Sequence, residues 1–153
     1  MQNPLFNRLV FVLSLVGLLV AAYLWKMHAT PQYIPCGVSR GCADVANSPW
    51  SQFPPGVGPP IAAYGFCGYL ALAVLAFLRT LPSLAGRDPL LRGLSVAGAA
   101  FGLAASLWLT YLELFVIKAI CKWCVGSQVI IAVVFVLTLA DTLSRRRALP
   151  VTA

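Results

Sequence analysis

The stretch Leu5–Met27, LFNRLVFVLSLVGLLVAAYLWKM, is apolar almost without interruption, and its charges, Arg8 and Lys26, lie near its ends. About 20 such residues cross the hydrocarbon core of a bilayer as a helix. A cleaved signal peptide would have a shorter apolar region followed by a small-residue cleavage site, and this run is long. Trp25, Lys26 and His28 follow it like an interfacial belt, so it reads as a retained first span. The rest of the chain agrees: 60% of residues are hydrophobic, 10% are charged, and the mean hydropathy is +0.87. Too little polar surface remains to coat a soluble globule.

Working outward, Thr30 to Pro60 is rich in Pro, Gly and Ser, and its seven prolines exclude a long helix there. Three more apolar stretches follow. The expected spans are about 5–27, 61–78, 90–117 and 121–143, with an outer loop over 28–60. The third, with Gly98, Ala99, Ala100, Gly102, Ala104, Ala105 and Ser106, has the small residues that let helices approach closely. The expected fold is an all-α integral membrane protein, one domain over 1–153. It is a four-helix transmembrane bundle with an extracytoplasmic loop between helices 1 and 2.

Basic residues in short loops are retained on the cytoplasmic side. Arg8, Arg79, Arg87, Arg92, Arg145, Arg146 and Arg147 would share one side, and Lys26, Arg40, Lys118 and Lys122 the other. Both termini are therefore expected inside. The net charge of +7 becomes a topology signal and a contact for anionic lipid. With no basic face interleaved with aromatics, nucleic acid is not an expected partner.

That topology puts two cysteine pairs on the outer, oxidising face: Cys36 and Cys42 in the loop, Cys121 and Cys124 opening the last span. Cys121-Lys122-Trp123-Cys124 places a thiol at a helix start, where free N–H groups, the helix dipole and the nearby Lys118 and Lys122 favour a thiolate. The same spacing can be half of a metal site, but its place at a span end favours redox chemistry. Cys36-Gly-Val-Ser-Arg-Gly-Cys42 closes a short flexible loop, which suits either a disulfide relay or a static staple. Cys67, inside the second span, reads as a small hydrophobe without a chemical role. Glu113 is read as the one acid inside a span, either carrying protons or pairing with Lys118. His28, Trp108 and Tyr111 read as interface or packing residues.

The ordered combination resembles the vitamin K epoxide reductase family, and its bacterial members in particular. It comprises a first span, a loop with two cysteines, Asn47-Ser48-Pro49-Trp50, the run Ile61-Ala-Ala-Tyr-Gly65-Phe-Cys-Gly68-Tyr69, and a Cys-x-x-Cys opening the fourth span. The resemblance implies a thiol:quinone oxidoreductase of the bacterial inner membrane that supports disulfide bond formation. A soluble extracytoplasmic thioredoxin-like thiol oxidase would give electrons to the loop pair. The loop pair would reduce the helix-end pair, and that pair a ubiquinone or menaquinone within the bundle.

Carried onto this chain, the resemblance makes Cys36 the cysteine attacked by the partner and Cys42 the one that bridges transiently to Cys121. Cys124 then faces the quinone. Ser48 matches a serine that supports the active site, though it also suits a turn before Pro49. Trp50, Phe53 and Phe66 are candidates for the quinone pocket. Gln128 stands where animal members carry a tyrosine, and Ile61 or a neighbour where they carry an asparagine. A quinone acceptor therefore fits better than an epoxide, with Gln128 a substitute donor to a quinone carbonyl. The family's fused thioredoxin-like domain is not seen here, which implies a separate partner. Two other readings use the same residues: a four-cysteine metal protein, which would hold stoichiometric zinc, and a structural scaffold, which would tolerate Cys124→Ser.

Overall fold

A computed structural model describes residues 4–29 and 41–148 of the chain. Its long helices are α1 (Pro4–Ala29), α3 (Ile61–Leu78), α4 (Asp88–Tyr111) and α5 (Lys122–Ala148), and a short α2 (Gly41–Ala46) follows α1. Proline sets several starts, as its fixed φ and missing N–H allow. Pro60 precedes α3, Pro82 opens a 3-10 turn over Pro82–Arg87, and Pro89 sits in the first turn of α4. The stretch 41–60 holds only α2 and a 3-10 turn at Pro49–Ser51, as its prolines require. Among the described residues there is no strand, only an isolated antiparallel bridge between Gln52 and Pro60.

Four stretches are long and apolar enough to cross a membrane: Pro4–Ala29, Ile61–Leu78, Pro82–Ile117 and Lys122–Arg145. The protein is an all-α, multi-pass membrane protein. Only 11 to 22% of each apolar window is buried inside the bundle, so most of the hydrophobic surface, such as Leu19, Val129 and Val136, points outward as lipid-facing residues must.

The spans alternate in direction. Asn7 near the start of α1 donates to the Ala76 carbonyl near the end of α3 (2.8 Å), and Tyr69 in α3 bonds Ser127 in α5 through its hydroxyl. The core is narrow, built of Val10, Ala21, Tyr69, Leu72, Ala76, Ala99, Ile131 and Val134. Gly17 admits the Tyr69 ring, into which any Cβ at that position would run. Ala99 is fully buried, in keeping with the close approach expected of the small residues in the third span. On the outward face of the α4 end, Trp108, Tyr111 and Phe115 stack in a row, with ring centroids 5.8 and 5.0 Å apart.

Two expectations change. Asp141, 2% exposed, lies inside the fourth span and Asp88 inside the third, so Glu113 is not the one acid within a span. Arg79, read as a stop signal, turns inward beneath α3. It bonds Asp88 at 3.0 Å and Asp141 at 2.7 Å, while Arg92 pairs with Asp88 at 3.0 Å and Arg145 with Asp141 at 3.2 Å. Buried charges persist where they are paired, and here five side chains meet at one end of the bundle, Arg79 and Arg145 through hydrogen bonds and Arg92 through an ion pair.

Candidate active site

The cysteines gather at the opposite end. Cys42, the second residue of α2, and Cys121, just before α5, are each 2% exposed and pack in one cluster with Val45 and Cys124. Gly41 makes this approach possible: a Cβ there would collide with the Ile120 carbonyl. Cys42 is engaged in a disulfide, while Cys121, Cys124 and Cys67 are free thiols. Cys36 lies outside the described residues. Cys67 is exposed on the outer surface of α3 and lies away from this cluster.

Cys121 was expected to open the fourth helix; it precedes the first helical residue and caps it. Its sulfur accepts the backbone N–H of Cys124 at 3.4 Å, the bond that a serine or aspartate oxygen makes at an N-cap, while its carbonyl accepts from Val125 at 3.0 Å. The hydrogen bond from the Cys124 thiol is the main reason the Cys121 pKa is lowered to about 7; backbone N–H groups of Cys124 and Trp123 add to it, while burial and the Glu113 charge oppose it. Exposed Lys118 and Lys122 take no part in that lowering, contrary to the sequence expectation.

Glu113 comes to this site through a break in α4. After Tyr111 the helix widens into a π turn over Leu112–Ile117, and Lys118 then takes a left-handed conformation (φ 56°). The amide of Ala119 bonds back to the Glu113 carbonyl at 3.1 Å, and the amide of Cys121 donates to its carboxylate at 3.3 Å. The single proton of the Cys124 thiol is shared between this carboxylate and the Cys121 sulfur, which both lie within its reach. Glu113 therefore pairs with Cys121 and Cys124, and Lys118, its expected partner, forms no ion pair with it among the described residues.

Below the sulfurs lies a cavity of about 300 Å³, walled by apolar residues of α1, α3, α4 and α5 such as Ala21, Leu72, Phe101 and Ile131. Cys42, Cys121, Cys124 and Glu113 line one end. Of the residues expected to line a pocket, Trp50 does so, as does Ile61. Phe53 does not: it is exposed and meets Tyr64 edge-on at 6.4 Å. Phe66 lies off the lining face of α3 and packs against Trp25 at 5.7 Å. Gln128 stands behind the wall, where its side-chain oxygen accepts the hydroxyl of Thr110 at 2.6 Å; Thr110 itself faces the cavity. Ser48 is set back from the sulfurs. Its hydroxyl donates to the Val45 carbonyl at 2.8 Å and closes the end of α2, and it borders a separate polar cleft. His28 lies between that cleft and the cavity, 3.4 Å from Ser51.

Sequence reasoning missed the polar wall formed by Thr110, Tyr69 and Ser127. Ser127 follows Cys124 by three residues and shares its helix face, the spacing that marks side chains opening onto one surface. Among the described residues, no group of three or more His, Cys, Asp or Glu side chains is placed to hold a metal ion. A partly open apolar cavity with a few polar groups at one end is a usual form of a small-molecule site. Its volume suits a single aromatic headgroup, and its walls suit a lipid-soluble one. The family model described as the vitamin K epoxide reductase family matches residues 8–139.

Proposed function

The chain belongs to the vitamin K epoxide reductase family, membrane thiol–disulfide oxidoreductases that use quinones, and from that premise we propose that it oxidises a secreted thioredoxin-like thiol oxidase and passes the electrons to ubiquinone or menaquinone. The observation that carries the reading is the packing of Cys42 against Cys121, with Cys124 at the wall of the apolar cavity. Cys42, the Cys121 and Cys124 sulfurs and the cavity then lie in series.

The chemistry follows from thiol–disulfide exchange. In this reading Cys36 and Cys42 form the loop disulfide; the partner's thiolate opens it at Cys36, and a second partner thiolate completes the exchange. That leaves the loop pair reduced and the partner oxidised. The Cys42 thiolate attacks the Cys121 sulfur of the helix-end disulfide, releasing the Cys124 thiolate. Cys36 then attacks Cys42, restoring the loop disulfide and releasing Cys121. The lowered pKa of Cys121 favours this last step, because a low-pKa thiol leaves faster. An oxidised Cys42 beside free Cys121 and Cys124 corresponds to the stage at which two electrons have reached the helix end. A quinone supplies the two-electron sink, and the apolar walls of the cavity suit a ring that arrives from lipid.

The excess of basic residues at the ion-pair end supports placing that end and both termini in the cytoplasm and the cysteines outside, in the inner membrane of a bacterium. Gln128, and Ile61 or a neighbour, in place of the tyrosine and asparagine of animal members, support net disulfide formation over epoxide reduction. The test is anaerobic mixing of the fully reduced protein with a water-soluble ubiquinone or menaquinone analogue, following quinone absorbance. The wild type reduces the analogue and Cys124→Ser does not. No reduction by the wild type, or equal reduction by the variant, refutes the reading.

A further inference from the structure

The reaction proposed above leaves a proton problem. Oxidising the Cys121–Cys124 dithiol releases an electron pair that, on a quinone, must be joined by two protons, and Cys121 is buried and Cys124 half-buried beside an apolar cavity. One group stands in contact with both the reacting cysteines and the cavity. Glu113 is 6% exposed, its carboxylate holds the Cys121 amide at 3.3 Å and the Cys124 thiol, and its side chain is part of the cavity wall. No ion pair neutralises it among the described residues, unlike Asp88 and Asp141 at the other end. The break in α4 is what brings it there, since the π turn and the left-handed Lys118 wrap the linker around its carbonyl. Such π turns recur at functional sites.

We infer that Glu113 is a catalytic residue, the internal base that takes the thiol proton of Cys124 as the disulfide forms and delivers it to the acceptor oxygen in the cavity. This role rests on the quinone reading above. The step balances: Cys121 thiolate, Cys124 thiol, quinone and one proton from water give the Cys121–Cys124 disulfide and the quinol. The S–H bond of Cys124 breaks, its proton passes to the Glu113 carboxylate, and the sulfur–sulfur bond forms as two electrons leave. Glu113 then gives up that proton, and the second replaces the one Cys121 lost to water on ionising. The other titratable groups around Glu113 are Cys121 and Cys124 at the start of α5 and Cys42 on α2, with His28 and Tyr69 on other walls of the cavity and Lys118 exposed on the linker. None of them bridges both reacting cysteines as the Glu113 carboxylate does.

The test compares wild type, Glu113→Gln and Glu113→Asp, each reduced and detergent-solubilised. Single-turnover oxidation by a soluble quinone analogue is followed against pH, and the S–H stretching band of Cys124 is recorded by infrared spectroscopy with no quinone present. The glutamine keeps an oxygen for the Cys121 amide, so the linker stays folded. Wild-type rates should rise through pH 7 as Cys121 ionises and then level off. Glu113→Gln should be slower at pH 7 by on the order of a hundredfold and keep rising into alkali as solvent hydroxide replaces the missing base. Its S–H band should shift as the thiol loses the carboxylate and keeps the Cys121 sulfur as its acceptor, and Glu113→Asp should recover the plateau. A glutamine variant within about threefold of wild type with the same pH profile, or an S–H band that does not move, overturns the role. If wild type itself fails to reduce the analogue, the function above falls and this role with it. A reactive wild type matched by its glutamine variant removes the role of Glu113 alone.

Discussion

The two ends of the bundle treat charge in opposite ways. At one end Arg79, Asp88, Arg92, Asp141 and Arg145 close a network in which each buried carboxylate meets at least two guanidinium groups. Three helices are tied there by contacts that leave no proton or electron to exchange. At the other end a buried carboxylate faces two thiols and an apolar cavity, and the helix that carries it is broken by a π turn. The contrast teaches that burial of charge is not itself the sign of a working site. What separates the two ends is whether the charge is cancelled by a fixed partner or left in contact with a group that can change its proton count.

The comparison breaks most severely if the network is opened. Arg79→Ala leaves Asp88 and Asp141 without their shared partner. It should cost about 3–5 kcal/mol of stability, because removing one member leaves buried charge uncompensated. Chemical or thermal unfolding in detergent measures it, and a loss below about 1 kcal/mol would show that the two ends differ less than their geometry suggests. At the cysteine end, Gly41→Val should change rate more than stability. Its side chain runs into the Ile120 carbonyl and moves Cys42 off Cys121. Electron passage between the pairs should slow by roughly a hundredfold, as a misplacement of about 1 Å does to a reacting pair. Stopped-flow reduction by a soluble dithiol, with the pair states trapped by alkylation, reads this directly. The smallest effect concerns one bond. Cys121 is a thiolate above its lowered pKa of about 7, so its alkylation rate should rise with pH through that value and then level off. Cys124→Ala removes the principal donor and moves the rise upward, cutting the rate at neutral pH roughly tenfold, whereas Cys124→Ser keeps a donor and moves it less.

The spans were legible because lipid leaves so little choice: an apolar run of this length has only a helix to form. The family's order of motifs pointed to an approach of the loop to the helix-end cysteines, and among the described residues Cys42 meets Cys121 while Trp50 lines the cavity. Other features depend on contacts that no local pattern announces. Asp141 and Arg79 are 62 positions apart, and only the packing of α3 against the end of α5 shows that they neutralise each other. Phe66 is apolar like its neighbours, and the rotation of α3 sends its ring toward Trp25, away from the cavity. Glu113 could be recognised as an intramembrane acid. Its partner could not be named, because a π turn shifts the register on which an expected pairing with Lys118 depends.

The row of Trp108, Tyr111 and Phe115 on the outward face of the third span bears on how the molecule rides in the bilayer. Indole and phenol rings settle at the boundary between headgroups and hydrocarbon. Placed beside the cysteine end, they act as a waterline. A bundle that sank by one helical turn would drag them into oil, and one that rose would expose Phe115 to water. The thiols therefore stay level with the rim of the hydrocarbon, where a water-borne donor can reach one pair of sulfurs and a lipid-borne acceptor the other.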